Sequence, residues 1–583
     1  MAPTKKSDVW KHFRRDTSTG KAVCLKNPNH ILTLCSSTTN LWNHLKHFHD
    51  LKNSRASTAS ASSLNVFVKS TPRNKVSFDS QSCSERLIKF IARHYEPLNI
   101  VENQDFKDFV KELNPNFDLP SARKLKRDME KIYDDTKQKI KEELDDSSET
   151  VCAVTTDIWT SNQAESFLSL TISTLSSSWE LSSKCVEVNS CPGSHTADNI
   201  SDHLSNMCRE WNIHPNQVAI ITDSAANMRK ATGFMNFRIV INCFAHILQC
   251  ALVHALKQEE IVENLRQARK IVGHFHHSPS QTLSLVRASE KFDHIPFRKL
   301  KQEVVTRWGS TFQMLERLIA MKKPVIHVML ENKEEIPSAD FWSKAEVIVS
   351  VLRPLHLIST KMSAEKSVTL SSIYPVVINL LTNTMHSKDN DEKFIIEMKK
   401  TFCEYLEKRF FEDDIRNVME VACVLDPRFK TLPFLSETAR RKAYKSVRAE
   451  LDSLLEIEGN REEMAVDSST KDSTIPSELE VLYGTFITET GNSSKQKSQS
   501  KHLLDLYLAE AEIPITEDPL SWWRVNETKH QLLAKISRFY MGIPATSASS
   551  ERAFSTAGQI VTEKRNRLKP KTVRLLHFLS KNL

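Results

Sequence analysis

Two aspartates follow short apolar runs, at positions where a side chain could take part in catalysis. Asp157 comes after VCAVTT, and Asp223 comes after QVAIIT. If both runs are strands, both carboxylates lie at strand ends, where α/β proteins commonly carry their functional groups. An aspartate after a strand is also a frequent turn former or helix cap, so neither residue alone decides the function.

A third carboxylate has unusual neighbours near the C-terminal end of the sequence. Glu551 is the one acidic residue in the stretch PATSASSERAFSTAG, whose other residues are mostly small or hydroxylated. The stretch is typical of the start of a helix. Composition does not explain what a lone carboxylate does there.

The segments around these residues predict an α/β core. Residues 86–145 have apolar residues three to four positions apart, as in amphipathic helices. Five apolar or alternating runs then predict strands of a mixed sheet: VCAVTTDIW, ESFLSLTIST, WELSSKCVEV, QVAIITDSA and FRIVINC. Helical periodicity returns from about residue 244 to 455. We therefore expect an α/β core that is interrupted by a long helical block.

Length and composition predict a soluble protein of several structural units. The chain has 583 residues, of which 40% are hydrophobic and 26% charged. The net charge of +8 does not by itself indicate a nucleic-acid partner. No apolar run approaches the ~18 residues that span a bilayer, and the first residues lack the apolar region of a signal peptide. We expect no membrane association, and the 11 cysteines to be reduced thiols.

Two polar stretches predict breaks between the folded parts. Residues 53–85 are rich in serine and threonine, which predicts a flexible linker. Residues at about 456–500 include EGNREEMAVDSSTKDSTIPSE and TETGNSSKQKSQSK, which predicts a disordered excursion.

Five motifs occur in the order and contexts found in hAT-superfamily DNA transposases. They are TTDIWTS, ITDSAANM, INCFAHILQCAL, VVTRWGSTFQMLERL and PATSASSERAFSTAGQIVTEKRNRLKP. The sequence resembles this superfamily over nearly its whole length, and most closely the zinc finger BED domain-containing proteins, many of which are domesticated hAT transposases.

The resemblance implies an RNase H-like catalytic core interrupted by a large all-helical insertion, after a small degenerate BED-type zinc finger. It also implies domain boundaries. These are 1–52 for the finger, 53–85 for the linker, 86–148 for a helical N-terminal segment, 149–255 for the first part of the core, 256–500 for the insertion, and 501–583 for a dimerisation region that completes the core.

The same resemblance gives Glu551 a role. Glu551 matches the third carboxylate of an Asp/Asp/Glu triad, with Asp157 and Asp223 as the other two. Carboxylate oxygens hold hard divalent cations, so Mg²⁺ or Mn²⁺ is the implied cofactor. Two such ions activate the attacking oxygen and stabilise the leaving oxygen of a phosphodiester.

The motif VVTRWGS implies contacts to DNA. Trp308 resembles a tryptophan that stacks on an extruded base next to the cleavage site, and Arg307 would then contact phosphate. The alternative is a core tryptophan beside a surface arginine. Cys243 and His246 have the spacing of half a metal site, but no second pair stands nearby, so we interpret them as core residues that support the active site.

The N-terminal residues resemble a BED-type zinc finger that lacks one ligand. Cys24, His44 and His49 match three zinc ligands, whereas the position of the second cysteine is occupied by Asn27. Zinc needs four nitrogen or sulfur ligands, so Cys35 or His30 would have to substitute. The alternative is a finger that binds no zinc and contacts DNA weakly or serves as a protein contact.

A folded finger would present basic residues to DNA. Lys11, Arg14, Arg15 and Lys46 are the predicted phosphate contacts, and the helix that carries Asn43 is the predicted reader of base edges.

Two functions from different classes remain open. The first is a nuclear protein that binds double-stranded DNA, regulates transcription and assembles as a homodimer or higher oligomer through its C-terminal region. The second is an active hAT transposase that cleaves DNA and transfers strands with Mg²⁺ or Mn²⁺. A modifier-ligase activity, known in some BED proteins, has no supporting motif in this sequence.

Overall fold

The computed structural model describes residues 8–16, 21–28, 30–33, 39–49, 79–146, 149–161, 164–292, 295–304, 307–410, 413–467, 499–560 and 568–583. The chain divides into two compact units, Met1–Phe78 and Asp79–Leu583. In neither unit do the described residues include a helix long and apolar enough to cross a membrane.

The first unit is a small antiparallel sheet followed by a helix. Its elements are a 3-10 helix (Asp8–Lys11), β1 (Phe13–Asp16), β2 (Lys21–Cys24), β3 (Ile31–Thr33) and α1 (Thr39–His49), with strand order β1-β2-β3. Its core consists of Val9, Phe13, Ala22, Cys24, Leu41 and Leu45. A core of this size contributes little stability, and natural units so small usually add a metal or a disulfide.

A mixed six-stranded sheet is the centre of the second unit. Its strands are β4 (Glu149–Thr155), β5 (Ile158–Thr160), β6 (Ser166–Ser176), β7 (Leu181–Ser190), β8 (Ala219–Thr222) and β9 (Ile239–Asn242). The order is β5-β6-β4-β8-β9, and β7 pairs with β6. The strands β4, β8 and β9 are parallel, whereas β5, β6 and β7 form antiparallel pairs. The mixed sheet predicted from the apolar runs is therefore confirmed.

Helices precede, connect and follow these strands. Those before and among the strands are α2 (Ser80–His94), α3 (Gln104–Leu113), α4 (Ala122–Asp145), α5 (Ala197–Glu210) and α6 (Ala226–Gly233). The helical block is α7 (Phe244–Ala255), α8 (Glu259–His277), α9 (Pro279–Lys291), α10 (Trp308–Ala320), α11 (Lys322–Glu331), α12 (Ala339–Met362), α13 (Leu370–Asn379) with a π-helical turn (Leu380–Thr384), α14 (Lys393–Phe410), α15 (Asp413–Leu425) and α16 (Glu437–Asp467). The last helices are α17 (499–509), α18 (Pro519–Asn526), α19 (Gln531–Met541), α20 (Ala548–Ile560) and α21 (Pro570–Asn582).

The sheet separates two hydrophobic cores. Successive side chains of a strand point to opposite faces, and on β8 Ile220 enters one core while Ala219 and Ile221 enter the other. The core of Ile220 also contains residues of α2, α4, α5, α20 and α21. The second core continues into the helical block, which therefore packs on one face of the sheet.

Two segments predicted to be irregular are partly helical. The linker prediction is wrong at residues 80–85, because the Asp79 side chain caps α2 by accepting hydrogen bonds from the backbone N–H groups of Gln81 (3.0 Å) and Ser82 (3.2 Å). The disorder prediction is wrong at 456–467, because these residues belong to α16 (Glu437–Asp467). The rest of both segments, 53–78 and 468–498, lies outside the described residues.

At Gly542 the backbone at the end of α19 packs closely against Cys152 of β4. A Cβ atom at this position would lie 2.1 Å from Cys152 Sγ and 2.7 Å from Cys152 Cβ. We therefore expect Gly542→Ala to lower the free energy of unfolding by about 1–3 kcal/mol, because either β4 or α19 must shift. Thermal unfolding of the full chain measures this effect.

Gly233→Ala is the matched control, since a Cβ there meets nothing within 4 Å. Cys152→Ala should restore part of the stability lost in Gly542→Ala, because it removes the nearer of the two clashing atoms. Equal unfolding midpoints for Gly542→Ala and the wild type would contradict the close approach.

Candidate active site

Asp157 lies where β4 ends and β5 begins. The preceding residue is fixed on both sides, since Thr156 N–H donates to the Ile221 carbonyl (3.2 Å) and its hydroxyl donates to the Ser169 carbonyl (2.7 Å). The carboxylate of Asp157 accepts the backbone N–H of Ile158 through Oδ1 at 2.8 Å. Its neighbours therefore hold Asp157 rigidly at the carboxyl end of β4.

Asp223 occupies the equivalent place on the adjacent parallel strand. It follows β8, and its Oδ1 accepts the backbone N–H of Ala225 at 3.2 Å, just before α6 begins. This is the hydrogen bond of a turn former, as the alternative interpretation of the sequence expected. It uses one carboxylate oxygen, so the local turn and a role in a site are compatible.

Glu551 reaches this region because the N-terminal end of α20 packs on β4. Thr155 Oγ1 lies within hydrogen-bonding distance of the hydroxyls of Ser549 (2.9 Å) and Ser550 (3.0 Å). The preceding segment is also fixed, since Ser547 N–H donates to Cys243 Sγ at 3.3 Å. Small hydroxylated residues allow this close packing, and Glu551 stays exposed in the first turn of the helix.

The last helix of the chain described by the structure, α21, packs against α20. His577 on α21 is buried, and its Nε2 lies 3.1 Å from the Ala553 carbonyl, to which the neutral imidazole can donate. Burial lowers the pKa of His577 to about 4, which keeps the ring neutral at physiological pH. The neutral His577 ring can therefore keep its hydrogen bond to the Ala553 carbonyl, two residues after Glu551, throughout the neutral pH range.

The negative charges of Asp223 and Glu551 act on the carboxyl group of Asp157. The pKa of Asp157 is raised to about 7, chiefly by burial, and further by the negative charges of Asp223 and Glu551, although the Ile158 N–H lowers it. Like charges that disfavour ionisation in this way must lie close together. Asp157 therefore lies within the electrostatic field of the other two acidic residues that the resemblance assigns to the same site.

These residues fit a divalent cation by their chemistry. Carboxylate oxygens are the ligands that Mg²⁺ and Mn²⁺ prefer, and a cation would offset the repulsion that raises the pKa of Asp157. No group of three His, Cys, Asp or Glu side chains in the described parts of the chain is already arranged to hold a metal ion. Binding would therefore require the carboxylates to close around the ion.

An open cleft of about 790 Å³ lies beside these carboxylates. Its lining includes Asp157, Trp159, His246, Gln249, Arg307, Trp308, His356, Glu551 and Phe554. The structure thus brings Arg307 and Trp308, which the sequence predicted as DNA contacts, into the same cleft as two of the carboxylates.

The two predicted DNA contacts differ in exposure. Arg307 is exposed, whereas Trp308 is only 5% exposed. The backbone N–H of Trp308 donates to Gln249 Oε1 at 3.1 Å, and its ring lies edge-on to His356 at a centroid distance of 6.1 Å. Trp308 thus combines both interpretations, since it lines the cleft but is packed as a core residue.

Sequence reasoning missed two aromatic residues of the cleft. Trp159 follows Asp157 by two positions, and Phe554 lies almost one turn after Glu551; their rings are nearly parallel, at 22° and 6.1 Å. Both residues stand close in sequence to an acidic residue, in DIW and in ERAF, and this spacing could have indicated that they line the cleft.

Cys243 and His246 contact different neighbours. Cys243 is buried and accepts the Ser547 N–H, while His246 Nε2 lies 3.4 Å from Cys250 Sγ. Cys243 therefore connects α7 to the segment before Glu551.

In the first unit, His44 lies close to His30, the residue that would have to substitute for the missing zinc ligand. Cys24 and His44 are buried, and the rings of His30 and His44 are edge-on with centroids 5.0 Å apart. Lys11, Arg14 and Asn43 are exposed. Cys35 and the side chains of Arg15, Lys46 and His49 lie outside the described residues.

Comparison with family models identifies three regions of the chain. Residues 503–583 match the hAT family C-terminal dimerisation region, residues 241–351 the ZBED1 RNase-like helical domain, and residues 155–267 the ZBED1 RNase-like domain. With the mixed sheet, these matches fit an RNase H-like core with helical regions.

Relatives align over most of the chain at low identity. Human zinc finger BED domain-containing protein 4 is 26% identical over 99% of this chain, which spans about half (52%) of that relative. The putative AC transposase of Zea mays is 25% identical over 86% of this chain and 65% of the relative. Zinc finger BED domain-containing protein RICESLEEPER 2 of Oryza sativa is 23% identical over 97% of this chain and 81% of the relative. These similarities confirm the resemblance inferred from the motifs.

The raised pKa of Asp157 predicts a stabilising substitution. The folded state holds the Asp157 proton up to about pH 7, whereas an unfolded aspartate loses it near pH 4, so ionisation costs stability as the pH rises between these values. Asp157→Asn should therefore raise the free energy of unfolding at pH 8, without divalent cations, by up to about 4 kcal/mol. The difference between variant and wild type should shrink toward pH 4.

Thermal unfolding of both proteins at several pH values measures this difference. Asp202→Asn, at an exposed carboxylate on α5, is the control and should show no such trend. A difference between Asp157→Asn and the wild type that is constant with pH would contradict the electrostatic grouping. Added Mn²⁺ should stabilise the wild type more than Asp157→Asn.

Proposed function

We propose that this chain, which matches the hAT family C-terminal dimerisation region at residues 503–583 and the ZBED1 RNase-like domains at residues 155–351, binds double-stranded DNA in the nucleus, acts as a homodimer and regulates transcription. The observation that carries DNA binding is the cleft, where the exposed cation of Arg307 lies near the ends of the central strands. Exposed arginines are the usual contacts to phosphate oxygens. The printed name of one relative, a putative transcriptional regulator of Talaromyces stipitatus, supports the regulatory part.

The N-terminal unit would supply a second DNA contact. Lys11, Arg14, Arg15 and Lys46 would bind phosphates, and Asn43 would reach base edges. Zinc would be held by Cys24, His44 and His49 with His30 or Cys35 as the fourth ligand, and the small core of this unit supports such a need.

Catalysis is the second candidate, and two observations support it: Asp157 and Glu551 line one cleft, and the charge of Asp223 acts on Asp157. Bound Mg²⁺ or Mn²⁺ would supply the activation of an attacking water or 3′-hydroxyl and the stabilisation of the leaving oxygen. The chain would contribute three carboxylates as ligands, with Asp157 and Asp223 held by backbone N–H groups. Arg307 would position the phosphate, and no side-chain nucleophile is required.

The dimerisation region presents apolar surface. Five apolar side chains of α19 pack in the core of this same chain, namely Leu532, Leu533, Ile536, Phe539 and Tyr540. The large apolar side chains that stay exposed in the described part of the region are Leu506 (47%), Ile515 (72%) and Val525 (75%). We propose that Ile515 and Val525, the most exposed of the three, contribute to the subunit contact.

A DNA assay separates the two functions. Purified full-length protein should bind a labelled duplex with an affinity that falls steeply with salt. With Mn²⁺ and a duplex that ends in candidate terminal repeats of the gene, an active transposase would nick the strand and join it to target DNA. Asp223→Asn should abolish cleavage while binding stays within about twofold.

Asp202→Asn is the charge-matched control outside the cleft and should leave both activities unchanged. Binding without cleavage in all three proteins would indicate the DNA-binding function alone. Failure of the wild type to bind duplex DNA at low salt would contradict the proposal.

The assignment of the dimer surface predicts a monomeric variant. Val525→Asp places a charge on a side chain that is already exposed, so the fold should be retained while the subunit contact is lost. Light scattering coupled to gel filtration should give a dimer mass for the wild type and a monomer mass for the variant. Asp505→Asn, a substitution on an exposed residue of α17, should leave the dimer intact. A dimeric Val525→Asp protein would exclude this surface.

A further inference from the structure

The first half of α4 carries a set of exposed cations. The set consists of Arg123, Lys124, Lys126, Arg127 and Lys131. None of the five forms an ion pair with another residue that the structure describes, although Asp128 and Glu130 belong to the same turns. In the second half of the helix, by contrast, Lys137 pairs with Glu210. The first half therefore presents an excess of positive charge to solvent.

The packing of α4 directs these cations outward. Leu125 and Met129 are fully buried on the opposite side of the helix. Arg123, Arg127 and Lys131 follow one another at four-residue spacing, which places them in one row. At a rise of ~1.5 Å per residue the row is ~12 Å long, and a B-form duplex carries one negative charge per ~1.7 Å of its axis. The row can therefore face several phosphates at once.

The start of α21 adds two cations beside this row. Lys569 and Lys571 are exposed, and 83% of the Lys571 side chain is accessible to solvent. Lys571 Nζ lies 3.7 Å from Glu130 Oε1, which places the start of α21 next to the first half of α4. The basic face is defined here as Arg123, Lys124, Lys126, Arg127, Lys131, Lys569 and Lys571. It thus combines two segments that lie far apart in the sequence.

We propose that the basic face binds the phosphate backbone of duplex DNA outside the cleft, an inference that rests on the proposed DNA-binding function. Arginine and lysine side chains are the usual contacts to phosphate oxygens. Such contacts carry no base information, so binding at this face is independent of sequence and weakens steeply with salt.

An acidic protein partner fits this face less well than DNA does. Interfaces between proteins have an apolar centre surrounded by polar residues. Among the described residues, neither α4 nor α21 has an exposed large apolar side chain. The basic face therefore offers charge alone, which is sufficient for phosphates.

The helix α21 connects the basic face to the candidate active site. It begins beside α4 at Lys571, and less than two turns later His577 Nε2 lies 3.1 Å from the Ala553 carbonyl of α20. The first turn of α20 carries Glu551. The basic face and the helix that carries Glu551 therefore belong to one packed group of helices.

The salt dependence of binding tests this proposal. The triple variant Arg123→Gln/Arg127→Gln/Lys131→Gln removes the row, and glutamine is a good helix former. Binding of the full-length protein to a labelled duplex of arbitrary sequence is measured by anisotropy, in EDTA, at several salt concentrations. Each lost phosphate contact should reduce the slope of log K against log salt by ~0.9, so the triple variant should lose ~2–3 in slope and bind roughly tenfold or more weakly at low salt.

A second triple variant is matched in charge. Arg266→Gln/Lys400→Gln/Arg441→Gln removes three exposed cations that pair with glutamates of their own helices, outside the basic face. It should keep the wild-type slope. The single variant Arg127→Gln should reduce the slope by ~0.9, which keeps the test valid if the first triple variant has a lower unfolding midpoint.

The possible failures are distinguishable. Absence of duplex binding by the wild type at low salt would refute the proposed function and this inference with it. Wild-type binding with an equal slope in Arg123→Gln/Arg127→Gln/Lys131→Gln would refute the role of the basic face alone. If that variant also failed to enter the nucleus, the face would be assigned to an acidic protein receptor. An equal loss of slope in both triple variants would attribute the effect to net charge and would also overturn the proposal.

Discussion

The contact between Thr155 and the pair Ser549 and Ser550 decides whether the candidate site is assembled. It brings the first turn of α20 onto the carboxyl end of β4, across sequence separations of 394 and 395 residues. Everything between these positions, including the whole helical block, must return the chain to the same edge of the sheet. Thr369, just before α13, takes part in that return, because its hydroxyl accepts the Ala545 N–H at 2.9 Å.

Grouping the carboxylates costs free energy, which the surrounding packing must offset. Burial of Asp157 and the charges of Asp223 and Glu551 all disfavour the ionised form of Asp157. On the opposite side, the buried His577 and the aromatic pair Trp159 and Phe554 fix α20 through contacts that do not involve charge. Such an arrangement is typical of functional sites, where electrostatic strain is retained for a ligand that relieves it.

Part of this arrangement could be predicted from the sequence by physical reasoning. Asp157 and Asp223 could be placed at strand ends, because a strand of apolar residues has a strong local pattern. Glu551 could not be joined to them in this way, because no local pattern in the sequence indicates a contact across almost four hundred residues. Only the resemblance supplied that contact.

The burial of Trp308 could have been predicted from the sequence, since Trp308, Phe312 and Leu315 share one helical face. The start of α2 was not predicted, because Asp79 caps this helix within a polar stretch whose composition alone indicates a linker.

The long sequence separation between β4 and α20 also determines when these two elements can meet during protein synthesis. A ribosome that adds about 5–20 residues per second needs on the order of 20–80 s to proceed from Thr155 to Ser549. During that interval the edge of the nascent sheet has no α20 to cover it, while the intervening helices can already form. In a newly made chain, Glu551 can therefore join Asp157 and Asp223 only after the whole helical block has been synthesised.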